Sequence, residues 1–215
     1  MKEEETIRTR EKNRVLFNKW SSTYDFPLFR FWMRRFQKPV FQEINFSSLG
    51  AILDVSCGTG EFLKALYQKS EGKGTLVGID LASEMVEKAR QKLPPEVVLK
   101  EADAHQLPFK DHKFDYTITT EAFHHYYDQE KALQEMKRVT KSTGKVIIVD
   151  INFFHRPVHW LWQKLEPGCV KINNKKEMKD LFEKVGLKVL KQERTFLFAV
   201  MTVGKKEAEA GEIKS

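Results

Sequence analysis

The stretch Ala51-Ile52-Leu53-Asp54-Val55-Ser56-Cys57-Gly58-Thr59-Gly60-Glu61-Phe62-Leu63 decides how the chain is read. Ile52 to Val55 is a short apolar run, enough for one buried strand. Gly58 and Gly60 then let the backbone turn sharply and approach a ligand with no Cβ in the way. Phe62, Leu63, Leu66 and Tyr67 recur at helical spacing, so a helix starts at once. Strand, glycine turn and helix suit a nucleotide-like ligand, although Gly-x-Gly alone is unspecific. The acids narrow the choice. A dinucleotide fingerprint needs a third glycine where Leu63 stands, and Asp54 and Glu61 bracket a turn that would otherwise hold an anionic pyrophosphate. They suit a ligand carrying an amine or a sulfonium. Thr75 to Ile79 reads as a second strand ending in Asp80, where a carboxylate can take both hydroxyls of a ribose. The expected ligand is a cationic nucleoside.

Outward from this stretch, Glu84 to Leu93 reads as a helix stopped by Pro94-Pro95, and Val97 to Lys100 as a third strand. Phe114 to Thr120 and Lys145 to Asp150 read as the fourth and fifth strands, with a capped amphipathic helix from Asp128 to Thr140 between them. The alternation implies an α/β, doubly wound sheet with its ligand at the carboxyl ends of the strands. A helix from Asn174 to Val185 ends at Gly186. Leu187 to Gln192 and Thr195 to Val203 then read as two strands whose link is too short for a crossover, so they are antiparallel.

These segments resemble the class I S-adenosylmethionine-dependent methyltransferases, in particular the small-molecule group that includes the ubiquinone and menaquinone methyltransferases. The likeness runs from about Val15 to Val203. Besides the glycine turn it includes Glu101-Ala102-Asp103-Ala104, Leu107-Pro108-Phe109, Phe114-Asp115 and Phe123-His124-His125 to Arg138-Val139, in family order. Two departures stand out: Ser56 replaces the usual first glycine, and Ser142-Thr143-Gly144 stands where a Pro-Gly-Gly turn is common. The resemblance implies a Rossmann-like, mostly parallel seven-stranded sheet of order 3-2-1-4-5-7-6 with an antiparallel last strand. It further implies S-adenosylmethionine as cofactor and S-adenosylhomocysteine as product. The implied cofactor contacts are Tyr24, Asp54, Ser56, Gly58, Gly60, Asp80, Leu81, Asp103, Ala104 and Glu121. Asp103 would accept from the adenine amino group, and Leu81, Ala104 and Leu107 would flank the ring. The expected organisation is a helical lid at 1–46, a methyltransferase domain at 47–204 with a cover insertion at about 151–173, and a polar tail at 205–215.

Thr6 to Trp20 reads as a helix with Ile7, Val15, Leu16 and Phe17 available for packing. After a break at Ser21 to Asp25, Phe29, Trp32 or Met33, Phe36 and Val40 align at helical spacing beside arginines. Such a segment suits either a lipid interface or a lid packed on the domain. In the resemblance Trp20 and Tyr24 fall in the part that closes over the cofactor. Phe153 to Trp162 follows the fifth strand, where this fold inserts substrate-covering elements. Together the two segments suggest an aromatic, cationic cover and a flat or lipophilic acceptor.

Methyl transfer from a sulfonium is an in-line displacement, so alignment and exclusion of water matter most. Where a general base is needed, His124 and His125 stand just past the fourth strand; a pocket-wall role is the alternative, and Glu121 and Tyr126 are secondary candidates. No metal is expected: Glu121, Asp150 and Asn152 do not match the spacing of a catechol-type magnesium site, and Pro157 separates His155 from His159. Two cysteines, Cys57 and Cys169, point to neither a disulfide framework nor arsenite chemistry.

The chain has 215 residues, 41% hydrophobic and 31% charged, with net charge +7. The net charge is +4 over residues 1–50, −2 over 51–150 and +5 over 151–215. Basic flanks suit solubility, an anionic substrate, peripheral membrane contact or RNA. No RNA-binding appendage is recognisable, so a small-molecule acceptor is preferred to RNA methylation, with a non-catalytic cofactor-binding protein as the other alternative. An acidic N-terminus and no apolar run of spanning length point to a cytoplasmic protein. The oligomeric state and the acceptor atom stay open.

Overall fold

The computed structural model describes residues 2–153 and 156–207. Seven strands form one sheet: β1 (Ala51–Val55), β2 (Thr75–Asp80), β3 (Val98–Glu101), β4 (Phe114–Thr120), β5 (Thr140–Ile151), β6 (Leu187–Phe196) and β7 (Ala199–Lys206). Their spatial order is β3-β2-β1-β4-β5-β7-β6. The first five run parallel, and β7 is antiparallel to both β5 and β6. This is the expected α/β, Rossmann-like sheet.

Helices bury both faces, which is why the central strands read as continuous apolar runs. On one face Leu53, Val55, Val77, Ile79, Val146 and Ile148 pack with Leu133 and Met136 of α6 (Gln129–Val139) and Met178 and Phe182 of α8 (Lys175–Lys184). On the other, Ile52, Leu76, Ile147 and Val149 pack with Phe62, Leu63 and Leu66 of α4 (Glu61–Lys69). The same cluster takes Phe36 from α2 (Pro27–Gln37), Val40 from α3 (Val40–Glu43), and Ala89 from α5 (Ser83–Lys92). Alternate residues of one strand therefore serve opposite layers. Local chemistry sets the ends: the Asp128 carboxylate accepts from Lys131 N at 2.9 Å, and Asn174 and Glu177 form a capping box.

Several boundaries differ from the sequence expectation. The first helix, α1, spans Lys2–Trp20, and Ile7 and Val15 face solvent. The helix lies over loop ends and is fixed by polar contacts: Arg10 Nε donates to Asp103 Oδ2 at 2.7 Å, and buried Asn13 donates to His125 O at 2.8 Å. The expected turn at Ser142 to Gly144 lies inside β5, as a register shift against β4. β6 runs on to Phe196, so the last strand starts at Ala199 rather than Thr195; Arg194 donates to Leu197 O at 2.8 Å and fixes the hairpin tip. β7 continues through Lys205 and Lys206, into the stretch expected as tail, and 208–215 lie outside the described residues. The cover segment contains a helix, α7 (Arg156–Leu165), while Phe154 and His155 also lie outside. Among the described residues no helix is long and apolar enough to cross a membrane.

Gly78 in β2 carries a steric constraint that the strand pattern hides. A Cβ there would lie 2.5 Å from Leu63 Cδ1 and 2.9 Å from both Cys57 Sγ and Leu99 Cδ2. Gly78→Ala is expected to cost about 1–3 kcal/mol through overpacking. Urea denaturation should show a lower midpoint with an unchanged slope.

Candidate functional site

The β1–α4 connection passes through the left-handed region at Ser56 (φ 63°), Gly58 (φ 53°) and Gly60 (φ 81°). At Ser56 this costs roughly 1–2 kcal/mol, and the hydroxyl helps to hold the position by a 2.9 Å hydrogen bond with Tyr126 Oη. Asp80 ties this turn to the next strand end. Its Oδ2 accepts from Gly58 N at 2.8 Å and its Oδ1 from Ala82 N at 2.9 Å. Burial raises its pKa to about 6, against the opposing pull of the Ala82, Gly58 and Leu81 amides. Each oxygen keeps acceptor capacity, so a diol can still bind.

Ser56, Gly58, Asp80, Leu81, Asp103, Ala104 and Glu121 line one cavity, together with His125 and Tyr126. Asn13, Phe17 and Tyr24 close it from the N-terminal segment. Asp54 lies in an adjoining cavity that shares Tyr24, Ser56 and Gly58. Gly60 lines neither: a Cβ on it would meet Leu93 Cδ1 at 2.7 Å, so its role is close packing of α4 against α5. His124 also lies outside both linings.

Three acids keep a buried carboxylate oxygen with no partner, Asp54 Oδ1, Glu121 Oε1 and Asp150 Oδ2, and the first two border the cavities. Asp54 is only 1% exposed. Burial and then the nearby Asp80 charge push its pKa well above the ordinary range; burial and then Asp150 do the same to Glu121. Orphaned carboxylates of this kind disfavour an anionic ligand and suit one bringing positive charge and donors. The donor set therefore fits S-adenosylmethionine, through its amine and sulfonium at Asp54 and Glu121 and its ribose at Asp80. Asp103 fits its expected partner less simply. It accepts from Arg10 Nε, from Tyr127 Oη at 2.8 Å, and from His105 N and Nδ1 at 2.9 and 2.6 Å. Four bonds fill a carboxylate, so an adenine amino group would have to displace one of them.

The histidine pair lies on a 3-10 turn, Phe123–His125, and its members differ. His124 is 1% exposed, with Nδ1 at 2.5 Å from Asp150 Oδ1 and Nε2 at 3.4 Å from Glu166 Oε1. Burial opposes its charge, but the two carboxylates outweigh it and raise the pKa to about 10. His125 is neutral: burial and then the His124 charge lower its pKa to about 3, and its Nδ1 has no partner. Phe17 packs edge-on against its ring at 4.9 Å.

The sequence reading missed Glu166, Arg10 and Asn13. Glu166 is held by Trp162 Nε1 at 2.6 Å, an i to i+4 contact on the cover segment that was the one available signal. His124, His125 and Glu166 bring three potential ligand atoms within 4.8 Å of one another, and with a proton on His124 one hydrogen bond, His124 Nε2 to Glu166, links two of them. Asp150 and Asn152 are not grouped with Glu121 as a metal site: Asp150 takes His124, and Asn152 Oδ1 accepts from Arg194 at 3.1 Å.

Comparison with known proteins gives a family model described as a methyltransferase domain, matching residues 53–148. The demethylmenaquinone methyltransferase of Lactiplantibacillus plantarum is 28% identical over 144 residues, 62% of this chain and 61% of that protein. A 2-phytyl-1,4-naphtoquinone methyltransferase from a Nostoc species is 30% identical over 156 residues, 68% of this chain and 66% of its own. The match thus spans about 61% of the length of the first of these relatives. Among solved structures, a SAM dependent methyltransferase from Aquifex aeolicus superposes with a TM-score of 0.69 at 22% identity, covering 87% of this chain and 97% of that one. Family model, relatives and fold together support a class I S-adenosylmethionine-dependent methyltransferase that resembles the quinone methyltransferases.

Proposed function

We propose that the protein transfers a methyl group from S-adenosylmethionine to a flat, phenolic or quinol-type small molecule. The observation that carries this reading is the pairing of Asp80, fixed by the Gly58 amide, with the orphaned, buried Asp54 beside the same turn. When bound, the cofactor supplies an electrophilic methyl on a sulfonium. The chain's own residues do the remaining work. Asp80 takes the ribose hydroxyls, Asp54 the amine, and Glu121 faces the positive end. Leu81 and Ala104 give the adenine ring apolar surface, with Tyr24 closing over Gly58; Gly60 sets the start of α4.

Within this reading His124 is a positioning residue. A protonated imidazole between Asp150 and Glu166 has no free lone pair, so it cannot accept a proton. His125 reaches the cavity but is too weak a base, with its pKa lowered to about 3, to take a proton fully. Its free nitrogen suits a hydrogen bond that orients the acceptor hydroxyl. Glu121, raised by burial, is better matched to accept the proton. The names of the relatives favour a quinone-derived acceptor.

Calorimetric titration of S-adenosylmethionine, S-adenosylhomocysteine and, as control, NAD tests the cofactor site. We expect micromolar binding of the first two, lost in Asp80→Ala; binding of NAD instead would overturn the reading. The affinity should also depend on pH. Because burial raises Asp80 to about 6 from its ordinary value, the carboxylate needed for binding is depleted below that pH. Affinity should fall about tenfold per unit below pH 6. The same shift means that the folded state holds this proton more tightly than the unfolded one. The contribution of Asp80 to ligand-free stability should therefore decline as pH rises between about 4 and 6, as the difference between the protein and Asp80→Asn would show.

The acceptor side is tested by methyl transfer to a panel of phenols and reduced naphthoquinones. We expect His125→Gln to lower kcat roughly 10- to 100-fold and Glu121→Gln by about 100-fold or more. Cofactor affinity of His125→Gln should be unchanged. Tight cofactor binding with no turnover on the panel would favour a non-catalytic role, and turnover on an RNA pool would favour RNA methylation.

A further inference from the structure

α7 is an unusual helix for a folded domain. A ten-residue helix has little stability of its own and normally gains it by burying an apolar stripe. α7 has such a stripe, Val158, Leu161 and Leu165, yet all three are exposed, and Trp162 beside them turns partly inward. Leu161 is 51% and Leu165 67% exposed, and Trp160 beside them is 61% exposed. The helix is held from its inner side by a few contacts, chiefly Trp162 against Phe153 at 5.3 Å and His159 with Phe153 O at 2.9 Å.

Ring contacts lead from α7 to α2. Phe153 stacks on Phe198 at 5.3 Å, and Phe198 stacks on Trp32 at 6.1 Å. Trp32 in turn meets Phe31, which is 49% exposed. Leu197, at the hairpin tip between Phe196 and Phe198, is also exposed. The exposed residues of α7, the hairpin tip and α2 are thus linked through the partly buried rings of Phe153, Phe198 and Trp32.

Cations border these exposed residues. Lys164 Nζ lies 3.9 Å from the Trp160 ring centre, and the Arg35 guanidinium lies 4.8 Å from that of Phe31. Beyond Phe31 a groove between α2 and α4 is lined by Arg34, Arg35, Lys38, Lys64 and Lys69, with Glu61 as its acid. Glu61 is already paired with Arg30, Lys92 and Arg34, which leaves Arg35, Lys38, Lys64 and Lys69 as the groove's other cations. Exposed tryptophans and aliphatic residues edged by long cations match the layering of a lipid interface, where rings sit at headgroup depth and cations meet phosphate.

We propose that the outer faces of α2 and α7, with the β6–β7 hairpin tip, dock on the surface of a bilayer containing anionic phospholipid. Charge complementarity selects the anionic surface. RNA would use the cations and rings but would leave Leu161 and Leu165 in water. The inference goes beyond methyl transfer and requires none. It also gives Leu161 and Leu165 the apolar partner that the described residues do not provide.

The test is sedimentation of the full chain with phosphatidylcholine vesicles, with and without phosphatidylglycerol. Binding is expected only with phosphatidylglycerol, weakening with salt, and accompanied by a blue shift of tryptophan fluorescence. Leu161→Asp with Leu165→Asp should reduce it at least about tenfold, and Lys38→Glu with Lys64→Glu should remove its dependence on phosphatidylglycerol. These positions lie outside the cofactor cavity, so S-adenosylmethionine affinity and the circular dichroism spectrum serve as folding controls. Failure to bind vesicles, or equal binding by the leucine variants, would overturn the proposal. So would a dimer in sedimentation equilibrium that the leucine variants dissolve, which would assign the face to self-association. Retention on single-stranded RNA without vesicle binding would assign the cations to nucleic acid.

Discussion

The site depends on one interaction, the acceptance of the Gly58 amide by the buried Asp80 carboxylate. The β1–α4 turn has three residues at positive φ, and such a turn needs a partner that fixes it. Asp80 supplies that partner from the adjacent strand end while holding Ala82 at the start of α5. Two turns that would otherwise move separately become one rigid edge. Burying this carboxylate opposes its charge, and the three amides around it offset much of that cost. An acceptor held ready in this way loses little on binding hydroxyl donors, because its geometry is set before the ligand arrives.

The cover over this edge is built on a different principle. The core is closed by apolar burial, but α1 is held by Arg10 on Asp103, Asn13 on two backbone carbonyls, and Lys88 on Ser21 O. Polar contacts of this kind exchange readily with water. That explains why Ile7 and Val15 can face solvent without unfolding the helix. It also makes Asp103 a shared resource. In the proposed binding mode the carboxylate that would read an adenine amino group is the one that Arg10 uses to hold the helix down, so cofactor binding and helix position would be coupled through one side chain.

What could be read from the sequence follows contact distance. The glycine turn, Asp54 and the strand that ends at Asp80 lie within thirty residues, and each position carries its own local pattern. The alternation of strands and helices gave the sheet order through the resemblance, and the capped helices announced their ends at Asp128 and Asn174. The cover was not legible in the same way. Arg10 meets Asp103 across 93 residues and Glu166 meets His124 across 42, and no periodicity encodes such pairs. The hairpin tip was misplaced for a related reason. Phe196 and Phe198 are aromatic because they pack toward Trp32, and with the exposed Leu197 between them the tip looks like strand rather than turn.

His124 and His125 show the same limit at the scale of two neighbours. Sequence offers two adjacent imidazoles with equal ordinary pKa values. The 3-10 turn aims one at Asp150 and Glu166 and leaves the other against Phe17, so their pKa values move in opposite directions. The charge fixed on His124 helps to keep His125 neutral. Glu166 then has a consequence beyond its own position. It belongs to the cover, and its attachment to the domain is a hydrogen bond to a charged ring, a stronger contact than a neutral pair. The cover is tied to the same turn by backbone bonds as well, Val170 N donating to His124 O at 2.8 Å, while the residue that faces the cavity is left neutral.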